Sequence, residues 1–235
     1  MRFLSLFLIV MSLCFSSCFS LQYFTVNSTE VPKDKANCFF FENDTFKVVY
    51  DYGGFKGPVY IAVTNKTDKP MYINWKKSAI IENGVATSFS SPRIQVSGTF
   101  DATRSSIATS GNTASSFTLP DGMDFIPPGT RIGKTLSVNL KDFPVRVDQL
   151  TGVPQRQKAS KHSSAPAYNL YSFDPAASPF KYQSYLTVVL GDNNATEFTI
   201  RHSFYIQSVM LTHQLPQHFT PYRKGEGDML WVFGR

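Results

Sequence analysis

The sequence predicts an all-β protein, an antiparallel β-sandwich with long Ser/Thr-rich and aromatic loops. Three observations predict it. Short segments alternate apolar and polar residues with period two, the signature of strands with one buried face. Turn-forming clusters of Gly, Pro, Asn and Asp separate them at hairpin spacing. Aromatic residues make up 14% of the chain, with 21 Phe and 11 Tyr, and these residues favour strands and fill sandwich cores.

The elements follow in order. Thr45 to Tyr52 places Phe46, Val48 and Tyr50 on one face, and Gly53-Gly54 turns the chain. Pro58 to Asn65 is the clearest strand, with Val59, Ile61 and Val63 together. Asn65 to Pro70 is rich in residues that accept turn geometry and reads as a hairpin loop into Met71 to Trp75. A short strand over Ser78 to Ile81 closes at Glu82-Asn83-Gly84, where Asn-Gly is a strong turn signal. Val85 to Pro120 is crowded with small polar residues and reads as a long exposed loop, with short strands within it at Arg93 to Val96 and Ser116 to Leu119. Phe125 to Thr130 is a rigid apolar turn, and Thr135 to Leu140 a strand. Pro154 to Pro166 reads as a second loop carrying Arg156, Lys158 and Lys161. Tyr168 to Tyr182 reads as an aromatic loop broken by Pro175 and Pro179. The C-terminal part is strongly β: Ser184 to Leu190, a loop at Gly191 to Asn194, Thr196 to His202, Ser203 to Thr212, and Met229 to Phe233, which needs burial if it is not to be a sticky edge.

The start of the chain reads as an export address. Met1-Arg2 is a short positive region, and Phe3 to Phe15 is an apolar run of about thirteen residues, signal-peptide length rather than the roughly 20 residues that span a bilayer. Phe15-Ser16-Ser17-Cys18 resembles a bacterial lipobox, with Phe15 in place of the commoner Leu. The resemblance implies that Cys18 is acylated and residues 1–17 are removed as a signal peptide, leaving 218 of the 235 residues. Two or three acyl chains anchor stably where one binds only marginally. Phe19 to Asn37 is mostly polar without sustained period, so 18–37 is expected to be a lipid-anchored tether and 38–235 the β-sandwich domain. Cys38 is then the only thiol left besides the acylated one, beside Phe39-Phe40-Phe41. A buried, inert thiol is expected, and a hydrophobic core rather than disulfides must stabilise the domain.

A net charge of +6, one less without Arg2, and the absence of any arginine-rich block or nucleic-acid motif argue against nucleic acid as a partner. The sequence has no Gly-x-Ser-x-Gly elbow, phosphate loop or dinucleotide fingerprint. His213 and His218 lack the cysteine pair that a zinc site of that spacing needs, and Pro216 between them argues against a helix. No cofactor or metal is expected. The candidate ligand-binding residues are aromatic: Tyr168, Tyr171, Phe173, Phe180 and Tyr182 in one segment, and His218, Phe219, Tyr222 and Arg223 in another. Their rings either stack on a sugar or grip a peptide, or fold back to cap the open ends of the sandwich.

Val63 to Gly84 (VTNKTDKPMYINWKKSAIIENG), with its N-x-x-x-x-P-x-Y-I hairpin and the later Ile126 to Gly129 turn, resembles uncharacterised Bacteroidetes-type lipoproteins with immunoglobulin-like sandwiches. That resemblance implies an immunoglobulin-like fold and an envelope address, but no activity. In such bacteria an acidic run after the lipid cysteine accompanies surface display; Phe19 to Tyr23 carries none, which favours the periplasmic face of the outer membrane. The expectation is a non-enzymatic envelope lipoprotein bound to the bilayer through its acyl anchor, with a protein or glycan ligand. The alternatives are an envelope polysaccharide-acting enzyme and a secreted eukaryotic glycoprotein, the latter prompted by four acceptor sequons at Asn27, Asn43, Asn65 and Asn194.

Overall fold

A computed structural model describes residues 20–90, 122–136, 145–161, 165–191 and 195–234. Cys18, the region 1–17, the two strands expected between 93 and 119, residues 137–140 and Asn194 lie outside the described residues. Strands β1 (Leu21–Asn27), β2 (Phe39–Glu42), β3 (Phe46–Asp51), β4 (Gly54–Phe55), β5 (Val59–Asn65), β6 (Met71–Asn74), β7 (Ala79–Glu82) and β8 (Val85–Ser88) come first. β9 (Met123–Ile126), β10 (Arg131–Leu136), β11 (Gln155–Lys158), β12 (Ala167–Ser172), β13 (Lys181–Leu190), β14 (Thr196–Thr212) and β15 (Met229–Phe233) follow. Two single turns of 3₁₀ helix are the only helical elements described, and no helix among the described residues is long and apolar enough to cross a membrane.

The fold is all-β, in two sheets. The smaller has the order β10-β5-β3-β2, antiparallel throughout. The larger has eleven strands, with the path β4-β15-β1-β14-β13-β6-β9 and the others attached along it. Its β14, 17 residues long, organises the layer. The first part of β14 pairs with β13, its last part with β12 on that same side, and β1 runs along the other side. The sheets face each other across one core, as in a β-sandwich. Tyr50 of the small sheet lies 5.3 Å from Phe204 of the large one, ring centre to ring centre, and Tyr52 lies 5.3 Å from Tyr182, both edge to face. Such pairs add about 0.5–1.5 kcal/mol beyond the area they bury. The alternation read from the sequence supplies this core: Phe46, Val48 and Tyr50 of β3 and Val59, Ile61 and Val63 of β5 are all buried.

Four expectations are corrected. First, Leu21–Asn27 is a strand and not part of a tether. β1 lies between β14 and β15, paired on both edges. Leu21, Tyr23, Phe24 and Val26 have no exposed surface. A strand buried on both faces shows a continuous apolar run rather than alternation, and LQYFTVN is too short a run to stand out beside its polar neighbours. Second, Asn65 to Pro70 is not a hairpin loop. β5 belongs to the small sheet and β6 to the large one, so the segment arches between the layers. The Asn65 side chain, fully buried, makes the arch possible. Its amide N–H groups donate to the carbonyls of Lys69 (2.7 Å), Ile126 (3.2 Å) and Pro127 (3.3 Å), and its oxygen accepts from Thr67 N–H and hydroxyl. Third, the segment expected as a loop with Arg156 and Lys158 holds β11, paired with β12, which in turn lies where the aromatic loop was expected. Fourth, Thr196 to Thr212 is one strand rather than two. The Asn83-Gly84 turn between β7 and β8 is as expected, with both residues at positive φ, 50° and 78°.

β15 has the burial its sequence demanded. β1 covers one edge and β4 part of the other, the latter in parallel register. The loop before it is pinned by Lys33, whose ammonium bonds the buried Asp228 carboxylate at 2.7 Å and the Val26 carbonyl at 3.1 Å.

Candidate functional site

The aromatic residues singled out from the sequence as ligand contacts are buried. Tyr182 stacks on Phe204 (5.4 Å, 20° between planes) inside the main core, and Tyr171, Phe173 and Phe180 belong to that core too. Tyr168, Phe219 and Tyr222 form a second cluster on the opposite face of the large sheet, around Tyr23. The Tyr23 ring lies 4.7 Å from Phe219 and 5.2 Å from Tyr222. Tyr168, Tyr171, Phe173, Tyr182 and Tyr222 are each at most 8% exposed. They do not form a stacking platform, and the reading of them as ligand contacts is corrected. The reason is geometric: β12 and β13 run through the supposed loop, and the β14–β15 connection folds back over Tyr23. His218 and Arg223 remain exposed, Arg223 pairing with Glu226 at 2.8 Å.

Cys38 behaves as an unreactive thiol. It is partly buried against Gly227, and burial, reinforced by the neighbouring carboxylates of Asp51, Asp34 and Asp228, pushes its thiol up to about 11. Almost none is thiolate at neutral pH, so nucleophilic chemistry is suppressed. Among the described residues, no group of three or more His, Cys, Asp or Glu side chains is placed to hold a metal ion.

One buried titratable contact lies between the sheets. The Tyr50 hydroxyl and His202 Nδ1 are 3.0 Å apart, and the imidazole also lies 5.1 Å from the Phe41 ring. Burial holds His202 below the ordinary histidine range, and Glu30 only partly opposes this. The ring is therefore a neutral core component.

The concavity with mixed chemistry that the sequence did not reveal lies on the outer face of the large sheet. A groove of about 440 Å³ runs over β13 and β14, walled by the Asn83-Gly84 turn on one side and by Pro175 on the other. Outward positions alternate with core positions along both strands, which brings Gln183, Ser203 and Tyr205 to its floor. Gln183 Nε2 donates to Ser203 Oγ at 3.2 Å, and Asn27 Nδ2 approaches the Tyr205 hydroxyl at 3.4 Å. Lys181 stands at the rim, held by the Ala176 carbonyl at 2.7 Å. Amide and hydroxyl groups around the partly exposed Tyr205 ring are the donors, acceptors and flat apolar surface that a saccharide or an extended peptide uses. The only sequence signal for it was the alternation of β13 and β14, which says that these residues point outward and not that two loops wall them in.

Of the four sequons, Asn65 is a brace and not a glycan acceptor, because its amide nitrogen is buried and engaged three times. No protein family model matches the chain, and no curated protein or solved structure is similar to it.

Proposed function

We propose that this is an envelope lipoprotein, acylated on Cys18 and held at the periplasmic face of the outer membrane, whose sandwich, of immunoglobulin-like kind, is a non-enzymatic binding module for a glycan or an extended peptide. The observation that carries the reading is where the sheet begins. Leu21 is already locked between two strands, and the Ser20 carbonyl accepts a bond from the Gly234 N–H at 2.7 Å. Processing must leave Leu21 onward intact, and removal of residues 1–17 does so. An acylated Cys18 then attaches the lipid almost directly to a central strand of the large sheet.

Binding is assigned to the Gln183–Ser203–Tyr205 groove, whose polar floor fits recognition by hydrogen bonding and ring stacking. Growth with radiolabelled fatty acid tests the anchor: the parent takes up label and Cys18→Ala does not. Equal labelling of both, or none in either, removes the proposal. The groove is tested with panels of oligosaccharides and peptides. The reading expects a ligand whose binding falls about tenfold or more in Tyr205→Ala, the loss of roughly one stacking contact with its hydrogen bond. A ligand bound equally by the variant places the site elsewhere.

A further inference from the structure

The end of the large sheet next to Ser20 carries an exposed aromatic edge beside a lysine. Phe233 pairs with Leu21 across the ladder and is 48% exposed; Phe55, on the short edge strand β4, is 42% exposed. Both rings meet the half-buried Trp231, Phe55 at 4.6 Å and Phe233 at 5.6 Å, and they meet each other at 5.7 Å. Lys56 stands over the Phe55 ring with its ammonium 5.2 Å from the ring centre. Apolar rings with a cation beside them, gathered at one end of a sheet, are costly to leave in water and match the boundary between headgroups and acyl chains. There, Trp and other amphipathic rings settle, and Lys and Arg meet phosphates.

The chain leads from this edge to its own anchor. Cys18 precedes Ser20 by two residues, and two residues span at most about 7 Å. Ser20 is itself bonded to Gly234, next to Phe233. A domain tied so closely to a lipidated thiol cannot swing clear of the membrane, and something on its surface must face the headgroups.

We propose that the Phe55–Trp231–Phe233 edge, with Lys56 beside it, is the surface on which the domain sits against the bilayer that holds its own acyl anchor. The inference rests on the lipid-anchor reading and adds an orientation to it. The groove over β13 and β14 then belongs to a domain of fixed attitude rather than one on a free leash.

The test uses the full chain, labelled with fatty acid as above and reconstituted into phosphatidylethanolamine–phosphatidylglycerol vesicles whose acyl chains are brominated near the headgroup. Trp75 is buried in the core, so contact quenching reads Trp231. The expected result is quenching of the parent that disappears in Trp231→Phe and falls roughly twofold or more in Phe55→Ser/Phe233→Ser. The double variant changes exposed positions, and an unchanged thermal transition confirms that it is folded. A single Lys56→Glu variant provides a second reading and lowers quenching in phosphatidylglycerol vesicles more than in phosphatidylcholine ones. A labelled parent whose tryptophan emission ignores the brominated lipid overturns the seat and leaves the anchor standing. A concentration-dependent dimer that Phe233→Ser dissolves gives this edge to a second copy, and also overturns it. Absence of fatty-acid label overturns the anchor, and with it the claim that this edge faces the chain's own membrane.

Discussion

Replacing Phe24 by alanine distinguishes a strand from a tether over Leu21–Asn27. Phe24 has no exposed surface, pairs with Val209 on one side and Leu230 on the other, and belongs to the main core. Truncation removes a whole ring from a site paired on both edges, where little can collapse to refill the space. The expected cost is about 3–5 kcal/mol, the range for a fully buried Phe. At roughly 2–4 °C per kcal/mol for a domain of this size, Tm falls by about 6–20 °C. The assay is urea unfolding of the full chain carrying Cys18→Ala, followed by tryptophan fluorescence, with the midpoint lowered and the slope unchanged. Lys35→Ala is the control, since Lys35 lies in the same segment but is exposed, and it shifts stability by no more than about 0.5 kcal/mol. A Phe24→Ala cost as small as the control's refutes the placement of β1 in the sheet.

Asn65→Ala removes the brace between the sheets and leaves the Lys69 and Ile126 carbonyls and the Thr67 hydroxyl short of their shared partner; a loss of about 2–3 kcal/mol is expected in the same urea assay. Lys33→Met strands the Asp228 carboxylate with only Arg223 at 3.6 Å, and a loss of about 2–4 kcal/mol is expected in the same urea assay. His202 is held below its ordinary range by burial, so the unfolded chain binds a proton more readily than the folded one. Its contribution is present above about pH 6.5 and is lost as pH falls through that value toward the lower folded one. The urea midpoint therefore falls between about pH 7 and pH 5, and His202→Gln flattens that part of the profile; a parent and variant with parallel profiles refute the assignment.

The legible part of the fold was the part with one wet face. β3, β5, β13 and the first part of β14 alternate, and most of their buried residues are the ones that alternation selects. β1 escaped because both its faces are covered, and β11 (QRQK) escaped for the opposite reason: an exposed edge strand of polar residues carries no apolar pattern. The Asn65 arch was read as a hairpin because turn chemistry announces a change of direction without saying which sheet receives the chain. The same limit applied to the site. The aromatic segments were found correctly as aromatic, but whether a ring points in or out depends on strands that their prolines concealed.

The burial of those rings makes the remaining exposed ones more informative. The chain places Tyr182, Phe204, Tyr52, Tyr50 and Phe39 in mutual contact between the sheets, and a second set around Tyr23 beneath the β14–β15 connection. With so many rings sequestered, Phe55 and Phe233 stand out with Phe125 as the exposed phenylalanines among the described residues, and packing does not require the Phe55–Phe233 pair, because a short edge strand is as readily finished with polar residues. It lies at the end of the sheet from which Ser20 leads toward Cys18, and the groove over Gln183 and Tyr205 lies on strands that continue from the same sheet. On the proposed reading, anchor, seat and groove share one layer, and a ligand in that groove would be held at a height above the membrane set by the length of β13 and β14 rather than by the reach of a flexible tail.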